Sequence, residues 1–277
     1  SFHTDFEADN GRIIAIHLNN PDPANWRTLI PEGEDAIAFS QMVNNEFILG
    51  TLHHGQHKLH RYNLNGQPLG EIELPVPGTI ADLAGERKHN ELFIQFQSFI
   101  YPPTILRYDF VAENLTILDQ PQLDFDLDDF ETRQVFYRSK DGTQVPLFIT
   151  HKKGLSLDGE NPTLLYGYGG FNVALTPIFS PTRLAWLERN GVYAQACLRG
   201  GMEYGAAWHQ AGMLDKKQNV FDDFIAAGEW LIANGYTNSK RLAIEGRSNG
   251  GLLVAACLVQ RPELFGAAHC AVPVIDM

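Results

Sequence analysis

Two short strings recur along the first half of the chain at nearly one interval, and this self-similarity limits the fold more than any other feature. Ala15-Ile16-His17-Leu18, Arg61-Tyr62-Asn63-Leu64 and Arg107-Tyr108-Asp109-Phe110 share an alternating pattern, each 46 residues from the one before. Asn45-Glu46-Phe47-Ile48 returns 45 residues later as Asn90-Glu91-Leu92-Phe93. Alternation with period two marks strands. Residues 13–18, 46–49, 58–64 and 92–96 are runs of this kind, divided by Asn-Asn, Asn-Gly and Pro-Gly turn pairs. No helical period persists among them. An all-strand repeat in the mid-forties has the size of one four-stranded propeller blade; a two-sheet sandwich with coincidental spacing is the alternative. A blade cannot bury its faces alone, so the roughly two and a half blades in residues 1–122 are expected to be the C-terminal part of a larger propeller.

The pattern changes after an acidic stretch at residues 123–129, read as a solvated connector. Residues 135–137 and 145–150 flank Asp141-Gly142, a hairpin signal. Strands at 163–166, 192–197, 242–245 and 267–272 then alternate with helices at 219–234 and 250–260. Val220, Phe224, Ala227 and Leu231 fall at helical spacing, Gly235 suits a C-cap, and Pro262 stops the second helix. Strand–helix–strand order predicts an α/β domain with a mostly parallel sheet over residues 123–277.

Composition narrows the function classes. With 44 % hydrophobic and 19 % charged residues the chain is globular and has the means to bury a core. A net charge of −12 and a pI near 5.2 argue against nucleic-acid or anionic-membrane partners. The late apolar stretch 265–275 is interrupted by His269 and Pro273 and is too short to span a bilayer. Cys197, Cys257 and Cys270 are too scattered for a disulfide framework or zinc site, and are read as buried thiols in a reducing compartment. The start carries neither Met nor a leader-like pattern, so the chain is expected to be an internal piece of a longer protein.

Gly246-Arg247-Ser248-Asn249-Gly250 follows one predicted strand and opens the next helix. Gly-x-Ser-x-Gly in that context is a nucleophile elbow. The serine sits on a tight turn, so the residues two before and two after it must be small. The turn lifts the hydroxyl off the sheet, and the helix N-terminus and the Asn249 amide favour an oxyanion there. A serine nucleophile needs a base. After Ser248 the candidates are Glu263, His269 and Asp276. His269 is read as a packing residue inside an apolar strand, and no histidine follows Asp276. The acid and histidine of a triad are therefore expected beyond Met277, leaving these 277 residues inert by themselves. Upstream, Tyr166-Gly167-Tyr168-Gly169-Gly170-Phe171 leaves a buried strand where a second oxyanion donor is needed. Its alternatives are an aromatic turn or a weak phosphate loop, which the glycine spacing disfavours.

Tyr-Gly-Tyr-Gly-Gly-Phe at 166–171, Leu-Arg-Gly-Gly-Met-Glu-Tyr-Gly at 198–205 and Gly-Arg-Ser-Asn-Gly-Gly-Leu-Leu at 246–253 together resemble the prolyl oligopeptidase family. So do Trp208-His209 and the run from Lys217 through Phe224, while the first half resembles the last blades of that family's seven-bladed propeller. The resemblance implies an α/β hydrolase and a soluble serine peptidase cleaving short peptides after proline. It implies that Ser248 is the nucleophile and that the Tyr168 hydroxyl joins the Asn249 amide in the oxyanion hole. Phe171 then lines the proline pocket, and the Asn249 side chain borders it. The propeller acts as a size filter. No metal or cofactor is expected; the partners are short proline-containing peptides, and the full-length protein is expected to be a cytoplasmic monomer, with the periplasm as the alternative compartment. Arg247 and Met202 stand where family members often carry Gly; the first is sterically tolerable and the second has no functional explanation. An esterase on the same elbow and a non-catalytic propeller module carrying a dead hydrolase are the alternative readings.

His53, His54, His57 and His60 lack carboxylates at ligand spacing and are read as a solvated turn. Asp222 and Asp223 point different ways on a helix, so an acid pair is set aside and they are read as surface or N-terminal helix charge. Arg199 and Glu203 are candidates for an ion pair that the sequence leaves open. Trp186 and Trp230 are expected in the core.

Overall fold

The structure is a computed structural model that describes residues 1–275. In the first half, β1 (Phe2–Thr4), β2 (Arg12–Ala15) and β3 (Arg27–Ile30) form a three-stranded antiparallel sheet. β4 (Ala36–Val43), β5 (Glu46–His53), β6 (Gln56–Tyr62) and β7 (Pro68–Ile72) make a four-stranded meander. β8 (Thr79–Ala84), β9 (Glu91–Ser98), β10 (Tyr101–Asp109) and β11 (Asn114–Asp119) make another. Each sheet pairs consecutive strands, as blades do.

The repeat has a physical origin. Its Asn-Glu string opens β5 and β9, the second strands, and its Arg-Tyr string ends β6 and β10, the third. In one meander Arg61 Nε donates to Glu46 Oε2 at 2.8 Å, and in the next Arg107 Nε donates to Glu91 Oε1 at 2.6 Å. The two strings are two halves of one cross-strand ion pair. Stacking of sheets also appears within single strands. On β5, Phe47 and Leu49 join Ile13, Ile30 and Ile37 in one core cluster, whereas Ile48 joins Ile80, Leu92, Ile94 and Phe96 in another. A strand buried on alternate sides by two neighbours is what a blade between blades requires. β2 ends at Ala15, short of the predicted 13–18, because the chain turns back on itself there, His17 bridging to Asn20 with Asn20 N donating to His17 O at 2.9 Å.

In the second half, β12 (Phe130–Arg138) and β13 (Gln144–Lys152) form the hairpin, with Gly142 at φ +88°. β14 (Thr163–Tyr166), α1 (Pro181–Glu188), β15 (Val192–Ala196), α2 (Gly205–Gln210), α3 (Gln218–Ala233), β16 (Leu242–Arg247), α4 (Asn249–Gln260) and β17 (Ala267–Ala271) follow. The sheet order is β12-β13-β15-β14-β16-β17. β13 runs antiparallel to both neighbours, and the pairs from β15 to β17 are parallel. Such non-sequential order is that of an α/β hydrolase sheet. Val220, Phe224, Ala227 and Leu231 of α3 and Leu253 and Val254 of α4 pack with Leu165, Ala194 and Ile244 of the sheet. Gly235 follows α3 at φ +75°, closing it as expected.

The chain divides into two units between Leu123 and Asp124, with Thr176–Phe179 and Tyr204–Ala207 belonging to the first unit. No helix among the described residues is long and apolar enough to cross a membrane.

Burial departs from expectation at several places. His269 is 70 % exposed in its side chain, its Nδ1 3.1 Å from Glu245 Oε1, and Cys270 is exposed rather than buried. Both lie on β17, which among the described residues pairs with β16 on one side and has no strand on the other. Asp223, read as surface charge, is fully buried. Trp186 and Trp230 sit at the rim of the core rather than inside it; the Trp186 indole donates to Val192 O at 2.9 Å. The four histidines are engaged by protein rather than by solvent alone. His53 Nδ1 lies 3.0 Å from the Asp35 carboxylate, His54 Nδ1 2.7 Å from the Tyr204 hydroxyl and His60 Nε2 3.0 Å from Thr51 Oγ1. His57 Nδ1 accepts from the Ile80 amide at 2.9 Å. No His, Cys, Asp and Glu cluster that could hold a metal occurs among the described residues.

Candidate active site

Ser248 stands between β16 and α4 at φ 57°, ψ −116°, a conformation in which a non-glycine residue stores roughly 1–3 kcal/mol of strain. The neighbours explain how the turn is held. A Cβ on Gly246 would lie 2.1 Å from Gly250 O, and one on Gly250 would lie 2.7 Å from Gly167 O. The two glycines of the motif are thus in contact with each other and with the adjacent loop. The Ser248 amide donates to Ala271 O at 3.0 Å, and Ser248 O accepts from Leu252 N at 3.1 Å. Its half-buried hydroxyl has no hydrogen-bond partner among the described residues.

The loop at 166–171 is laid flush against α3 and α4. A Cβ on Gly167 would lie 2.7 Å from the Phe224 ring, one on Gly169 2.2 Å from Val220 Cγ1, and one on Gly170 2.5 Å from Asn249 Nδ2. Gly169 also needs its φ of +60°. These approaches bring Tyr168 to the elbow, its Cδ2 within 3.5 Å of where a Cβ on Gly250 would be. Phe171, at φ +53°, is 70 % exposed at the loop's end.

The Asn249 side chain joins loop and elbow. It is 4 % exposed, and its Nδ2 donates to Tyr168 O at 2.6 Å. Its Oδ1 accepts from Lys217 Nζ at 3.1 Å, and the same ammonium donates to Gly169 O at 2.7 Å. Both polar ends of Asn249 are therefore turned inward. Burial pushes the Lys217 amine down to about 8.

Residues 198–212 brace this assembly. Arg199 and Asp223 form a buried pair, with Nη2 2.6 Å from Oδ1, and the Arg199 amide donates to Asp223 Oδ2 at 3.2 Å. Asp141 at the hairpin turn caps the other guanidinium edge, and that contact holds its carboxyl down to about 2. Gly200, at φ +90°, touches Gly169 O, and its own carbonyl accepts from Asn172 N at 3.1 Å. Arg199 and Glu203 do not pair. Glu203 is 1 % exposed; its Oε1 accepts from Leu175 N at 2.8 Å, its Oε2 has no partner among the described residues, and burial raises its pKa to about 8.

The structure thus brings Ser248, Asn249 and Tyr168 to one corner, with Phe171 ending the same loop. The sequence reading attached no role to Lys217 and misplaced Asp223. Both stand in the 217–224 run noted as a family motif, so the signal was present without a function. Glu263 pairs with Arg261 at 2.5 Å, His269 with Glu245, and Asp276 lies outside the described residues.

Residues 177–277 match the prolyl oligopeptidase family, and residues 1–121 match the N-terminal β-propeller domain of prolyl oligopeptidase. The chain is 41 % identical over 275 residues to a prolyl endopeptidase of Elizabethkingia miricola, covering 99 % of this chain and 39 % of that protein. It is 43 % identical over 285 residues to prolyl oligopeptidase ophP of Omphalotus olearius, covering 100 % of this chain and 38 % of the relative. A solved prolyl endopeptidase superposes with a TM-score of 0.95 at 43 % identity, over 99 % of this chain and 41 % of its own. Prolyl oligopeptidase B from Galerina marginata, bound to a 25mer macrocyclization substrate, superposes with a TM-score of 0.93 at 36 % identity, over 99 % and 39 %. The chain spans about two fifths of the length of these relatives.

Proposed function

The chain belongs to the prolyl oligopeptidase family, and on that premise we propose that the complete protein is a serine endopeptidase that cleaves short peptides on the carboxyl side of proline. One observation carries this reading: Ser248 holds a left-handed backbone on a strand-to-helix turn, with the Tyr168 loop packed on the same turn. Ser248 Oγ attacks the scissile carbonyl carbon while its proton passes to a histidine outside the described residues. The carbonyl π pair moves onto oxygen, which the Asn249 N–H and Tyr168 O–H stabilise. Collapse expels the amine, which takes up that proton, and water then hydrolyses the acyl-enzyme by the same route. None of these steps calls for a metal or cofactor.

Proline supports Phe171 as pocket wall, because a pyrrolidine ring offers hydrocarbon and no N–H to recognise. The Asn249 side chain borders that pocket, beside the loop that its Nδ2 holds at Tyr168 O. Short proline-containing peptides acted on by a monomer in the cytoplasm complete the proposal; three unpaired thiols support a reducing setting. The test is cleavage of fluorogenic peptides by the full-length protein. Ser248→Ala should abolish release after proline, and Tyr168→Phe should lower kcat about 100- to 1,000-fold, the usual cost of losing one oxyanion donor. Unchanged cleavage by Ser248→Ala would remove the proposal.

A further inference from the structure

We propose that Lys217 is a positioning residue of the oxyanion hole, holding the Tyr168 loop and the nucleophile elbow in one register; the proposal rests on the reading of the site given above. The lysine lies where an ammonium is least favoured. It is the N-cap of α3, a helix of 16 residues, where the helix dipole repels cations. It is also largely withdrawn from water, and no carboxylate hydrogen-bonds or salt-bridges it among the described residues. Position and burial both disfavour the charge, and among the described residues both hydrogen bonds of the ammonium go to the active-site corner.

Those bonds form a closed set. An ammonium only donates, so Lys217 Nζ fixes which end of the Asn249 amide is oxygen; Oδ1 turns to the lysine at 3.1 Å. Nδ2 is then the end that reaches Tyr168 O at 2.6 Å, while the ammonium takes Gly169 O at 2.7 Å. One donor of the oxyanion hole is the backbone amide of Asn249; the other is the side chain of Tyr168. The lysine thereby ties the residue bearing one donor to the loop that bears the other, itself through Gly169 O and by way of Asn249 Nδ2 through Tyr168 O. With Lys217→Met, Asn249 is free to flip, Gly169 O loses its partner, and the two donors no longer converge on one point. A misplacement near 1 Å at a reacting centre costs up to about 100-fold in rate.

The experiment uses the full-length protein with Lys217→Met and Lys217→Arg. A peptidyl-prolinal aldehyde adds Ser248 Oγ to its carbon, its π pair becoming an oxyanion and the serine proton passing to the base. The matching alcohol fills the same pocket and forms no oxyanion. Lys217→Met should lower kcat by roughly 10- to 100-fold with KM within about twofold. It should weaken the aldehyde by the same factor and leave the alcohol unchanged, and Lys217→Arg should recover part of the loss. A lysine that only stabilises the fold would lower the unfolding midpoint and leave the aldehyde-to-alcohol ratio intact; that result overturns the proposal. Should Lys217→Met fail to fold, Lys217→Gln carries the same ratio test. Ser248→Ala separates the two levels: if it cleaves as well as wild type, the site reading fails, and if it is dead while Lys217→Met keeps the wild-type ratio, only the role of Lys217 fails.

Discussion

Replacing Glu203 by Gln should reshape how stability depends on pH. The carboxyl is buried, one oxygen accepts from the Leu175 amide and the other has no partner among the described residues. Burial raises its pKa from 4.5 to about 8. A raised carboxyl pKa means that, between these two values, the native state binds a proton that the unfolded chain has released. Stability therefore falls as pH rises through this window and levels off above it. The slope approaches about 1.4 kcal/mol per pH unit, and the full span sets a ceiling of roughly 5 kcal/mol. Glutamine keeps the acceptor for Leu175 and cannot ionise. Urea midpoints followed by tryptophan fluorescence, for wild type and Glu203→Gln at each pH from 5 to 9, isolate this group because the other titrations cancel in the difference. The variant should gain on the wild type steadily up to about pH 8. A difference that stays flat across that range, or moves in favour of the wild type, would refute the account of a neutral buried acid.

Gly246→Ala places a Cβ 2.1 Å from a backbone oxygen of Gly250. Neither neighbour is a flexible side chain, so a loss of about 3 kcal/mol or more is expected, read as a lowered melting temperature or loss of soluble protein. Asp223→Asn removes the buried counter-charge of Arg199 and leaves it only the half-exposed Asp141 carboxylate. It should cost about 3–5 kcal/mol in urea denaturation, whereas replacing both residues by apolar ones of similar volume should recover most of that.

How much was legible beforehand follows from how local each cause is. In the two four-stranded blades the repeat could be read because its two strings are partners in one ion pair, Arg61 with Glu46 and Arg107 with Glu91; the 15–18 string has Ala15 at the arginine's place and lacks that pair. The elbow was legible for a similar reason: Gly246 and Gly250 are four residues apart and touch. Asp223 was misplaced because its partner Arg199 lies 24 residues away on a different element, and helix position alone gives no hint of it. His269 and Cys270 were read as buried from an apolar run, yet burial depends on what lies alongside β17 in the sheet. Lys217 escaped notice because a lysine before a helix looks like solvated charge until the loop that it holds is seen.

Labelling with a serine-reactive fluorophosphonate tests the central claim most directly. The full-length protein treated with it and digested for mass spectrometry should carry a single adduct on the Ser248 Oγ, and Ser248→Ala should carry none. An adduct on another residue, or an unlabelled Ser248 in folded protein, would contradict the account.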